Sequence, residues 1–191
     1  MTDRPHRAPR VTASLLAILV LAGIAGGATG AVYHSRESAL QLAFGAEAAV
    51  ESQEIFLSAD AQAEASRRAG SPVESRLVQR YAGRAEGRLL GHAYFETHQV
   101  RTLPETLMVV VAPDGTVAAV HVLAFHEPTA YLPHAGFLQQ FEAARLDEEL
   151  SLRTGIQGIA GSTFTATAVT AAVRRVLAIH AAAAAPAAGG R

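Results

Sequence analysis

The stretch Gly158-Ile159-Ala160-Gly161-Ser162-Thr163-Phe164-Thr165 sets two glycines and three hydroxyl residues directly ahead of an apolar run. Behind it Val169, Val173, Val176 and Leu177 recur at helical spacing. The pattern predicts a tight glycine turn that opens a helix. Gly158 and Gly161 admit positive φ or the close approach of a ligand. Ser162, Thr163 and Thr165 offer capping hydroxyls. A helix N-terminus leaves amide donors free and carries partial positive charge, so it favours a phosphate. On local pattern alone, hydroxyls that only cap the helix are the favoured reading of the stretch.

A second chemical candidate is the loop Phe125-His126-Glu127-Pro128-Thr129-Ala130-Tyr131-Leu132-Pro133-His134. Pro128 and Pro133 stiffen it, and it presents His126, Glu127, Tyr131 and His134. A rigid surface loop with a solvated carboxylate is the plain alternative. His121, His126, Glu127 and His134 include metal-ligand types, but their spacings match no metal motif. His121 reads as a sheet residue. The sequence has no Gly-x-Ser-x-Gly elbow and no Gly-x-x-x-x-Gly-Lys-Ser/Thr loop. It contains neither Lys nor Cys, which excludes Schiff-base and thiol chemistry, disulfides and iron–sulfur ligation. Ser162 as a hydrolase nucleophile has no motif context.

These residues sit in a chain of 191 residues, half of them hydrophobic, with a formal net charge of −1. That excludes a disordered chain and gives no basis for nucleic-acid binding. Residues 1–10 are polar and basic through Arg4, Arg7 and Arg10, and 11–33 follow without a charge. About 20 apolar residues cross a bilayer as a helix, so 11–33 reads as a transmembrane anchor, with a cleaved signal peptide as the alternative. The basic flank keeps the N-terminus cytoplasmic and places everything from about residue 34 outside.

Further on, Glu37 to Val50 reads as an amphipathic helix and Ser52 to Leu57 as a short strand. Ser58 to Gly70 reads as a helix with a Ser cap and a Gly stop. Leu77 to Tyr81 reads as a strand, followed by a loop through Gly83 and Gly87. Arg88 to His98 has strand character. Glu105–Ala112 and Thr116–Phe125 flank Pro113-Asp114-Gly115 as a hairpin. The unbroken apolar run Leu107–Val111 predicts a strand covered on both faces. Phe137, Leu138 and Phe141 form a helical patch.

With these elements placed, the 157–170 stretch resembles the Ser-Gly-Ala-Thr-x-Thr-Ser signature of FMN-binding domains. Such domains occur in the C subunit of the sodium-pumping NADH:quinone oxidoreductase and the G subunit of the Rnf complex. The resemblance covers about 85–180 and keeps Gly161, Thr163, Thr165 and the apolar helix. Ala160 stands for the family's Ser, Ser162 for its Ala, and Gln157 for an acidic residue. Ala144-Arg145 takes the place of a Gly-Lys. The resemblance implies FMN held through a phosphoester on Thr163. It places Ala160, Gly161, Ser162, Phe164 and Thr165 around the phosphate, with Glu127, Pro128 and Tyr131 approaching the flavin. It further implies a flavin transferase that uses FAD, and membrane redox proteins or quinone-linked carriers as partners.

The expected fold class is α+β, a twisted, mostly antiparallel sheet packed with helices behind one N-terminal transmembrane helix. The expected organisation is a basic N-terminus (1–10), an anchor (11–33), a mixed part (34–84), an FMN-binding domain (85–180) and a disordered tail (181–191). The expected function is electron transfer by a single-pass flavoprotein of the cytoplasmic membrane, its C-terminal domain periplasmic. The alternative is a non-flavinylated accessory or scaffold domain that binds flavin or another phosphorylated ligand weakly.

Overall fold

A computed structural model describes residues 31–184. Six strands form one sheet: β1 (Ala31–Val32), β2 (Ala49–Phe56), β3 (Leu77–Ala85), β4 (Arg88–Gln99), β5 (Pro104–Val111) and β6 (Val117–Phe125). Their order is β1-β6-β5-β4-β3-β2, and every neighbouring pair is antiparallel. The helices are α1 (Arg36–Phe44), α2 (Ala59–Ala69), α3 (Ala135–Gln139) and α4 (Thr163–Ala184). The architecture is α+β, with helices packed on an antiparallel sheet, as the strand patterns predict.

β5 runs through the middle, and Leu107 to Val111 are all buried because both faces are covered. On one face Leu107, Val109 and Val111 pack with Val169, Val173, Val176 and Leu177 of α4. On the other, Met108 and Val110 pack with Tyr81 and with Ala39 of α1. Alternation along β5 thus feeds two cores. α4 is long and apolar enough to cross a membrane, and nine of its residues are buried in this fold. Its apolarity is that of a core helix.

α2 matches its sequence signals: Ser58 caps it and Gly70 ends it in the left-handed conformation at φ 71°. Other expectations are corrected. α1 stops at Phe44 because Gly45, at φ 88°, turns the chain out of the helix, and Ala49–Val50 already belong to β2. Gly83 lies inside β3, not in a loop. A Cβ there would sit 2.3 Å from the Phe44 ring, so glycine makes room for that side chain. Tyr33 does not close a membrane span. Ala31 and Val32 pair with Phe125 and Ala124, and Tyr33 N–H bonds Leu123 O at 2.8 Å. The rest of the expected anchor lies outside the described residues, as do 1–10. α4 continues to Ala184, four residues past His180, and 185–191 are likewise outside the described residues.

Candidate functional site

The hydroxyl-rich turn folds as the sequence predicts. Gly161 has φ 77°, and a Cβ built on it would meet nothing within 4 Å, so the backbone there faces open space. Ser162 N–H closes the turn on Ile159 O at 3.0 Å, and Ala166 N–H bonds Ser162 O at 3.0 Å as the helix begins. Thr163 is the first residue of α4 and is exposed. Ser162 and Thr165 are buried. Thr165 does not cap. Its hydroxyl donates to Tyr131 O at 2.8 Å and ties the second candidate loop to the helix start. Gln157 and Gln140 fix the approach to the turn: Gln157 N–H donates to Gln140 Oε1 at 2.8 Å, and Gln140 Nε2 returns to Gln157 O at 3.1 Å.

A pocket of about 160 Å³ opens beside this turn. Gly161, Ser162, Phe164 and Thr165 form one wall, and Glu127 and Tyr131 form another. Six of the nine residues proposed from sequence therefore meet here. Thr163, Ala160 and Pro128 adjoin it as exposed chain neighbours. The third wall, Val100 and Arg101, comes from the β4–β5 loop. Sequence reasoning passed over that loop because it carries no motif and precedes the clearest hairpin. The Arg101 guanidinium carbon lies 5.8 Å over the exposed Phe164 ring, within cation–π range.

Glu127 corrects the picture of a solvated carboxylate. It is buried, and its Oε1 accepts the amides of Arg101 (3.2 Å), Thr102 (2.6 Å) and Leu103 (2.8 Å), with the Thr102 hydroxyl at 3.3 Å. The Thr102 and Leu103 amides, foremost, hold its carboxyl below the usual carboxylate range. Glu127 is thus the latch that fixes the loop presenting Arg101. Its negative charge is spent on backbone donors, so the pocket keeps the positive character of Arg101 and the α4 N-terminus.

The other candidates lie elsewhere. His134 caps α3, its Nδ1 accepting Phe137 N–H at 3.1 Å. His121, His126, Glu127 and His134 do not converge, and among the described residues no three potential ligands gather around a metal position. Arg145 pairs with Asp114 at 3.2 Å at the hairpin turn, on the opposite end of the sheet.

The turn, the open glycine and the cation define a cradle for an anionic group at the start of a core helix. Residues 103–178 match the family model described as the FMN-binding domain. The match contains Glu127, Tyr131 and all of Ala160–Thr165, and it gives the protein a flavin-binding role. No curated protein and no solved structure matches the chain. The residues present fit the phosphate of FMN: backbone N–H groups at a helix start, a glycine without steric obstruction, and one guanidinium. At about 160 Å³ the pocket suits one end of such a molecule and does not enclose a whole ligand.

Proposed function

We propose that the protein is a membrane-anchored, extracytoplasmic flavoprotein that carries FMN as a phosphoester on Thr163 and passes electrons between membrane-linked carriers. One observation carries the reading. Thr163 is exposed on the first turn of α4, beside the Arg101 pocket and inside the segment matching FMN-binding domains. Its hydroxyl is open to a transferase. In the transfer from FAD, the Thr163 Oγ–P bond forms and the pyrophosphate P–O bond breaks. AMP leaves, and the hydroxyl proton passes to solvent.

The linked phosphodiester bears one negative charge. Arg101 and the amides at the start of α4 offset it. Glu127 keeps Arg101 in place, and Thr165 locks Tyr131 to the same turn. When bound, FMN supplies the one- and two-electron chemistry, while the chain supplies position and field. The uncharged run before Ala31 supports the anchor, and the arginines before it support an N-terminus on the cytoplasmic side. Covalent attachment keeps the cofactor from diffusing away outside the cell.

The test is intact mass of the full chain co-expressed with a flavin transferase, beside Thr163→Ala. The expected wild-type gain is one FMN less one water, with yellow colour that survives denaturation and is absent from the variant. An unmodified wild type would favour a second reading, an accessory domain that binds flavin or another phosphorylated ligand loosely. Ala160 and Gln157, which depart from the signature, favour that reading. The Gln157 side chain is exposed, and the contacts fixing this segment are made by its backbone.

A further inference from the structure

The register of the sheet gathers one end of every strand on the same side as the flavin pocket. Glu105 pairs with Phe125, Phe125 with Ala31, and His98 with Glu105. The end of β4, the starts of β5 and β1, and the end of β6 therefore lie in one row. β3 is antiparallel to β4 and β2 to β3, which brings Leu77 and its partner Phe56 to that end too. Below Tyr81 and Ala93 the β3–β4 ladder stops. A cleft of about 740 Å³ opens between the strands, with Leu77 on one lip and Gln99 and Pro104 on the other.

The exposed apolar side chains follow this geometry. Eight large apolar residues are exposed among the described residues, and five of them are at or beside this end: Val32, Phe56, Leu77, Tyr131 and Phe164. Two of the aromatic rings carry an arginine. Arg76 lies 4.4 Å over Phe56, and Arg101 lies 5.8 Å over Phe164. Glu127 and Glu105 are buried, while Glu54, Asp60 and Glu74, close in sequence to Phe56 and Leu77, are exposed. The opposite end is a charged surface, with Glu47, Arg84, Glu86, Arg88 and Asp114 all exposed. Exposed aromatic rings beside arginines suit the headgroup level of a bilayer, where rings meet the acyl boundary and guanidinium groups meet phosphate.

We propose that this end docks on the surface of an anionic lipid bilayer, so that the flavin pocket faces the membrane. Chain direction supplies the independent argument. β1 runs inward from Ala31, so the described chain begins at this same end. An anchor ahead of Ala31 joins the domain at this end, where Ala31 pairs with Phe125 in the sheet. The membrane-facing surface is therefore the one that carries the apolar rim. This inference rests on the anchored-flavoprotein reading and adds to it an orientation. Electrons leave or enter at the lipid interface, which selects carriers embedded in the membrane over water-soluble ones.

The absence of cysteine makes the test clean. Full-length protein is reconstituted into vesicles of phosphatidylcholine with phosphatidylglycerol. Single cysteines replace Thr129, at the proposed docking end, or Glu86, at the far end, and each carries a fluorophore. Lipids bearing a nitroxide on the headgroup are the quencher. Several-fold stronger quenching at 129 than at 86 is expected, with the difference reduced by Phe56→Ser plus Leu77→Ser and by high salt. Equal quenching at the two sites, in protein that resists alkaline carbonate extraction, overturns the docking and leaves the anchor standing. Protein that carbonate removes overturns both anchor and docking. Intact mass of the same samples reports flavin attachment separately.

Discussion

At the scale of single residues, the site is defined by one cation and the carboxylate that aims it. Arg101 lies just outside the matched segment, on a loop whose three successive amides end on Glu127 Oε1. A charge-assisted phosphate contact is worth about 1.5–3 kcal/mol, roughly tenfold or more in affinity. In protein made without transferase, FMN should bind at least ~10-fold tighter than riboflavin, and Arg101→Ala should erase that preference. Fluorescence titration of both ligands measures it, and an unchanged ratio in the variant removes Arg101 from the phosphate site. Glu127→Ala should act through the loop: amide exchange at 101–103 rises, and the FMN preference falls with Arg101 still present. The folded Glu127 carboxyl lies below its ordinary 4.5. Its grip is therefore complete above that value and is lost only as the pH falls through the lower, folded one.

At the scale of elements, β4 and α4 meet along a polar seam that composition does not reveal. Tyr94 OH and His180 Nδ1 are 2.8 Å apart, the His92 and His180 rings are 5.3 Å apart, and Arg175 pairs with Glu96 at 2.7 Å. Burial, followed by the charges of Arg80, His180 and Arg84, lowers the His92 pKa to about 4. Burial also lowers that of His180. A folded value below the unfolded 6.5 means the unfolded chain binds more protons between them. Stability is then complete above about 6.5 and declines as pH falls toward 4. Thermal unfolding from pH 7.5 to 4.5 should show the midpoint falling across that window, with His92→Gln flattening the slope. A midpoint equally steep in the variant would place the titration elsewhere. Elements with strong local signals were legible in the sequence: the Ser58–Gly70 helix, the 113–115 hairpin and the Gly161 turn each carry their own punctuation. Three features were not. Gly83 reads as a turn because its reason for being glycine is a ring 39 residues away in sequence, that of Phe44. Arg101 carries no motif, and Glu127 looks solvated until the partner loop is in place.

At the scale of the whole molecule, the segment matching the FMN-binding family is not a self-sufficient unit. Residues 103–178 hold β5, β6, α3 and most of α4. β5 is buried on both faces and pairs with β4 along its whole length, from Pro104 with Gln99 to Val111 with His92. Without β4 that edge is bare, apolar and flat, which is the form of strand that aggregates. α4 loses its second cover as well. Arg174 reaches Ala69 O and Arg68 O on α2, and Ala65, Ala69 and Val73 pack on Ala178. A fragment of 103–184 is accordingly expected to lack a cooperative transition and to bind hydrophobic dyes. A fragment of 31–184 should unfold in one step, because β1 through β4 with α1 and α2 complete both cores. Circular dichroism and calorimetry on the two fragments decide the point. Cooperative folding of the shorter one would show that the N-terminal half is an accessory to the flavin site and not part of its foundation.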